Sequence, residues 1–156
     1  MTPESSPVEL TQVLVSQGME LEDTSLGMVV DVESVHISLD SKITVEMVSL
    51  HNVQDYAKVS CLGWEDPPSV EKEMTEDMVR SLKDSAHRTE YFIARYEGVP
   101  AASGALLPLA KSGYLLGSSV APEFRGKGLY RALVYARLER LKELGLGLAY
   151  LPLTGF

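Results

Sequence analysis

The sequence predicts an α/β (α+β) domain: a mixed, mostly antiparallel central sheet flanked by helices. Three observations predict it. Residues 89–120 read as three strands joined by two short turns, an antiparallel meander. A strand, a helix and a strand then follow from Tyr114 to Leu151, which needs a parallel crossover. Two helix-like segments lie between the second predicted strand and the meander, and they must cover one sheet face. At 156 residues the chain suits a single core.

Each element has a local reason. Ser6-Pro7-Val8-Glu9 is a helix start, with Ser6 as cap, Pro7 in the first turn and Glu9 at the capping-box position. Leu10, Val13 and Leu14 continue that helix, and Gly18 ends it. Leu26 to Val32 reads as a strand, and Ile43 to Val48 alternates as a second. Asn52 and Asp55 open a helix that runs to Leu62. Gly63 to Pro68 reads as a loop, with Asp66 as a cap for the next helix. There Val70, Met74, Met78 and Leu82 recur at four-residue spacing. Thr89 to Tyr96 and Val99 to Leu109 form a hairpin about Glu97-Gly98. Lys111-Ser112-Gly113 turns into the strand Tyr114–Val120, where Gly117-Ser118-Ser119 marks a bulge. The long helix is predicted from Arg125 to Leu144, with Tyr130, Val134, Leu138 and Leu141 on its apolar face. A last strand, Leu148 to Leu151, is cut short by Pro152.

The charge is −8 overall and uneven. Residues 1–110 carry 7 Lys/Arg against 19 Asp/Glu, whereas residues 111–156 carry 7 against 3. A cationic segment on an acidic body argues against general nucleic-acid binding and for a local anion site. No apolar run is long enough to span a bilayer, and the N-terminus does not read as a signal segment. Cys61 is the single cysteine, set among apolar helix residues, and reads as a buried thiol in a cytoplasmic protein. His36, His51 and His87 show no metal-ligand spacing.

The chemistry concentrates in Arg125-Gly126-Lys127-Gly128-Leu129-Tyr130. A strand that feeds a helix leaves the first helical N–H groups unpaired, and the dipole there favours anions. Glycines let a ligand approach the backbone, and Arg125, Lys127 and Arg131 add charge. The turn suits a diphosphate, yet it is neither a Walker loop nor a dinucleotide fingerprint. A bulged strand beside it would present backbone groups to an extended amide-containing ligand.

With its flanking Val-x-Pro-Glu-Phe and Arg-Ala-Leu, this stretch resembles the GNAT superfamily of acetyl-CoA-dependent N-acetyltransferases, whose motif is [Arg/Gln]-x-x-Gly-x-[Gly/Ala]. Arg125 and the first glycine match, and Tyr130 departs from it. The resemblance covers residues 43–151. It implies that N–H groups from Arg125 to Tyr130 bind the CoA pyrophosphate and that Ser119 and Val120 pair with the pantetheine arm. It implies direct acetyl transfer to a primary amine, with acetyl-CoA as donor. Glu65, Asp66 and Tyr114 are the candidate catalytic residues, and Trp64 adjoins them. The expected organisation is an N-terminal helix–strand extension over residues 1–33 and an incomplete GNAT-like domain over 34–156. The family's last helix and two strands would then be missing, leaving Leu148–Leu151 with an open apolar edge. Residues 7–32 read helix, glycine, strand. They are either a simple extension or a substitute for that piece, in this chain or in a homodimer. Two alternatives to catalysis stand beside this reading: a CoA-binding module without activity, and an acidic interaction protein.

Overall fold

The computed structural model describes residues 9–20 and 26–153. It divides into two units, Met1–Leu26 with Leu153–Phe156, and Gly27–Pro152. In the first, the described helix is α1 (Leu10–Ser16). Its chain turns out through Gly18 at φ 84°, while Met19 N–H returns to the Leu14 carbonyl at 3.1 Å. No side chain of α1 is buried. The predicted cap Ser6 and Pro7 lie outside the described residues.

The second unit carries a six-stranded sheet in the order β1-β6-β5-β4-β3-β2. The strands are β1 (Leu26–Asp31), β2 (Ile43–Met47), β3 (Glu90–Tyr96), β4 (Val99–Pro108), β5 (Ser112–Val120) and β6 (Leu148–Leu153). Between β2 and β3 lie α2 (Val53–Trp64) and α3 (Pro68–Lys83), and α4 (Leu129–Glu143) joins β5 to β6. β2 to β5 pair antiparallel, and β5 pairs β6 in parallel. The mixed, mostly antiparallel sheet flanked by helices is the predicted class.

Adjacent residues of β3 enter opposite cores, as strand alternation requires. Phe92 joins Leu106, Leu115, Leu133 and Leu141 under α4. Ile93 joins Val48, Val53, Tyr56 and Met78 under α2 and α3. β4 lies against helices on both faces, and its run Ala101-Ala102-Ser103-Gly104-Ala105 is small and buried.

Six local expectations differ from the structure. Asn52 does not cap α2 by its side chain; its Oδ1 instead accepts from Ser49 N–H at 2.7 Å, and its Nδ2 donates to the Met47 carbonyl. Gly63 and Trp64 belong to the last turn of α2, which stops at Glu65 in the left-handed region (φ 62°). Asp66 does not cap α3, which starts on Pro67 and Pro68. α4 starts at Leu129 rather than Arg125, because Gly126 and Gly128 take φ of 80° and 85°, outside any right-handed helix. Its buried stripe is Leu129, Ala132, Leu133, Arg137, Leu138 and Leu141, and Tyr130 is 44% exposed. Finally, β6 runs through Pro152 to Leu153.

The edge of β6 that the sequence leaves open is occupied by β1. Gly27 makes the fit: a Cβ there would lie 2.5 Å from the Tyr150 ring. Beyond β1, Val32 N–H donates to the Gly147 carbonyl at 3.0 Å.

Candidate functional site

Two features of β5 create the site. The first is its parting from β6. The parallel register runs Ser112↔Leu148, Gly113↔Ala149 and Tyr114↔Tyr150, and there it stops among the described residues. Close contact is forced at its start, since a Cβ on Gly113 would fall 2.3 Å from Leu141. Beyond Tyr114, β5 continues to Val120 with β4 on one side and a slot on the other.

The second is a bulge. Gly104 pairs with Ser118 and Ala105 with Leu116, so Gly117 has no partner across the ladder. The bulge falls where the sequence places it. Further along, Ala121 N–H donates to the Ala101 carbonyl at 3.0 Å. Antiparallel alternation then turns the N–H of Val120 away from β4, toward the slot. Ser119 is buried, its hydroxyl 2.9 Å from that of Ser103, and the same alternation turns its N–H toward β4.

After Val120 the chain makes a 3-10 turn (Pro122–Phe124) and the glycine corner. The Arg125 and Lys127 N–H groups turn back to the Pro122 and Phe124 carbonyls at 3.3 and 3.4 Å. Those of Gly126, Gly128, Leu129, Tyr130 and Arg131 have no acceptor among the described residues. Nothing lies within 4 Å of where a Cβ on Gly126 would stand. A bare row of donors at a helix start is an arrangement able to bind an anion. Arg131, which the sequence credits only with charge, also contributes an amide.

The corner's side chains are occupied. Arg125 Nε donates to the Val120 carbonyl, and its Nη2 reaches both the Gly63 carbonyl and Glu65 Oε1, the last at 3.0 Å. Arg125 thereby ties the end of β5 to the end of α2. Lys127 Nζ stands 4.7 Å from the Tyr96 ring centroid and 4.9 Å from that of Phe124.

α2 closes the other wall of β5. A Cβ on Gly63 would sit 2.5 Å from Ser119 Oγ and 3.1 Å from Val120 N, so only glycine permits this approach. Trp64 is 56% exposed, with Cζ2 4.0 Å from the Cβ position of Gly117. Of the candidate catalytic residues, Glu65 is brought to the corner by its ion pair. Asp66 N–H is bound to the Cys61 carbonyl at 2.9 Å. Tyr114 stands where the strands part, stacked on Tyr150 at 5.1 Å and 17°.

One central residue escapes the sequence reading. Arg137 is fully buried in the bulge under α4, and its guanidinium has no carboxylate partner among the described residues. Burial pulls its pKa down to about 10, which leaves it charged at neutral pH. Its signal was spacing: Leu133, Arg137 and Leu141 lie four apart on the stripe that faces the core.

Comparison with known proteins agrees with this geometry. The sequence profile described as the Acetyltransferase (GNAT) family matches residues 54–154. The chain is similar to a GCN5-related N-acetyltransferase from Kribbella flavida, with TM-score 0.71 and 19% identity over 97% of this chain and 56% of that one. It therefore spans little more than half of that protein's length. It is also similar to the PaiA N-acetyltransferase of Thermoplasma acidophilum, solved with coenzyme A (TM-score 0.55, 15% identity, 67% of this chain and 74% of that one). A third is a protein of Clostridium acetobutylicum described as a predicted acetyltransferase, solved with acetyl-CoA (TM-score 0.53, 14% identity, 70% and 79%). At these identities the solved structures show the fold alone. No curated protein sequence matches. The profile covers well over half of the chain, so the chain belongs to the GNAT acetyltransferase family.

Proposed function

We propose that this chain binds acetyl-CoA and transfers its acetyl group to a primary amine. One observation carries the reading: the five unpaired N–H groups between Gly126 and Arg131 stand beside the slot that β5 opens against β6. The amides of Gly126, Gly128, Leu129 and Tyr130 hold the pyrophosphate, with Arg125 and Lys127 adding positive charge. The Val120 backbone pairs with the pantetheine arm as a strand would. The Thermoplasma and Clostridium structures, solved with coenzyme A and with acetyl-CoA, support this ligand.

Transfer is direct. The neutral amine nitrogen attacks the thioester carbon, a C–N bond forms, and the C–S bond breaks. The amine's proton passes to a base or a water chain, and the departing thiolate takes up a proton. Glu65, Asp66 and Tyr114 are the candidates for these proton transfers. Glu65 is held by Arg125 at 3.0 Å. The acidic body, at −12 over residues 1–110, favours a cationic acceptor.

The competing reading is a module that binds CoA without catalysis. It is favoured by the engagement of both Glu65 and Tyr114 in contacts of their own. Calorimetry and thiol release separate the readings. Acetyl-CoA should bind the wild-type chain, and Arg125→Glu should weaken binding by about tenfold or more, since it reverses a charge beside the phosphates. Equal affinity in both proteins would refute the cradle. Binding without thiol release from any of a panel of amines would leave the module.

A further inference from the structure

A lone cation in a protein interior needs a reason, and Arg137 has a specific one. Its guanidinium makes four hydrogen bonds. Nε donates to the Leu133 carbonyl at 2.9 Å, within its own helix. Nη1 donates to both the Ala105 and Leu116 carbonyls, at 2.9 and 3.1 Å, and Nη2 to Ser118 Oγ at 2.8 Å. Ala105 and Leu116 are the pair that bounds the β5 bulge on one side, and Ser118 belongs to the pair that bounds it on the other. The guanidinium therefore fills the gap that the extra residue opens between the strands. Gly104 makes room for it, because a Cβ there would come within 3.2 Å of both Cζ and Nη1.

A neutral side chain with donors could satisfy those carbonyls. A full charge does more. A charge-assisted bond to the Leu116 carbonyl draws electron density through the Leu116–Gly117 peptide and makes its N–H a stronger donor. In a trans peptide that N–H points away from the carbonyl, hence away from Arg137. Gly117 is the residue without a ladder partner, and the first atom near its Cβ position is Trp64 Cζ2, at 4.0 Å. The Cβ side of Gly117 is thus open up to Trp64.

We propose that Arg137 is a positioning residue for acetyl transfer: it holds the bulge in shape and polarises the Leu116–Gly117 peptide, so that the Gly117 N–H binds the thioester carbonyl of the donor. This rests on the reading that acetyl-CoA lies in the slot along β5. The polarised carbonyl carbon is then the more open to an amine, as with any preorganised oxyanion donor.

The test uses the whole chain and needs no knowledge of the acceptor. Acetyl-CoA labelled with carbon-13 at the thioester carbonyl is bound to the protein, and its carbonyl stretch is followed by isotope-edited infrared spectroscopy. Calorimetry on the same samples gives Kd. In the wild type the stretch should move to lower wavenumber on binding. In Arg137→Met the shift should vanish, and in Arg137→Lys it should shrink, with Kd within about threefold of wild type. Arg137→Lys, which keeps the charge but cannot span both carbonyls, decides the matter if the Met variant does not fold. A bound wild-type stretch equal to that of free acetyl-CoA overturns the proposal. So does an unchanged shift in a folded variant. A loss of affinity in step with a fall in melting temperature assigns Arg137 to packing alone and overturns it too. Failure of the wild type to bind acetyl-CoA at all is a different result, and it sinks the cradle reading first.

Discussion

Gly63 and Gly147 show how differently one residue type can act in this chain. Around Gly147 no atom lies within 4 Å of a would-be Cβ, whereas at Gly63 that atom would press on Ser119 and the Val120 amide. Ser119 cannot yield easily, being buried and bonded to Ser103. Gly63→Ala should therefore cost about 1–3 kcal/mol in stability and weaken acetyl-CoA binding, while Gly147→Ala should do neither. Thermal melts and calorimetry check the pair, and identical behaviour would show that the approach of α2 to β5 is not tight. Cys61 gives a pH test. Burial, with the Asp66 and Glu71 carboxylates adding to it, pushes its thiol pKa up. A raised pKa lowers the thiolate fraction at every pH below it, so the native protein should be inert to a disulfide reagent at around pH 8. Unfolding should then release the single thiol. Rapid native labelling would contradict the burial.

At the scale of elements, β1 is held by an absent side chain. Gly27→Val would drive a Cβ into Tyr150, whose ring cannot swing aside without leaving its stack on Tyr114. The expected result is a loosened β1 and faster amide hydrogen exchange along β6, read by mass spectrometry. Unchanged exchange would mean that β1 is seated in another way. Periodicity found most elements, because β2, β3 and α3 carry simple alternation or four-residue spacing. It misplaced the start of α4 because Gly126 and Gly128, permissive in composition, take left-handed angles that only coordinates reveal. It credited Tyr130 with the core face because the real stripe is interrupted by an arginine. The bulge was legible from Gly117. Its cationic filling was not, since charge in a helix ordinarily reads as solvent-facing. The same limit left the place of β1 open between a simple extension, a strand of its own sheet and a strand of a second copy: local pattern shows that a strand exists but not which strand it joins.

The whole molecule sets a cationic corner on an acidic body. The two should respond to salt in the same sense. Raising ionic strength from low to physiological should weaken acetyl-CoA binding at the corner, and should also raise the KM for a polycationic amine more than for a monoamine. Steady-state kinetics across a salt series checks this, and a KM for the polyamine that does not move would remove the acidic body from acceptor choice. No described helix is long and apolar enough to cross a membrane.

The neighbours β1 and β6 come from far-separated stretches, with Asp31 and Leu148 more than a hundred residues apart. During synthesis the earlier strand leaves the ribosome with nothing to pair against, and every other strand of the sheet is made before its mate emerges. Until then the nascent chain carries Met28 and Val29 on an unzipped ribbon, which is the form of backbone that chaperones and stray strands capture.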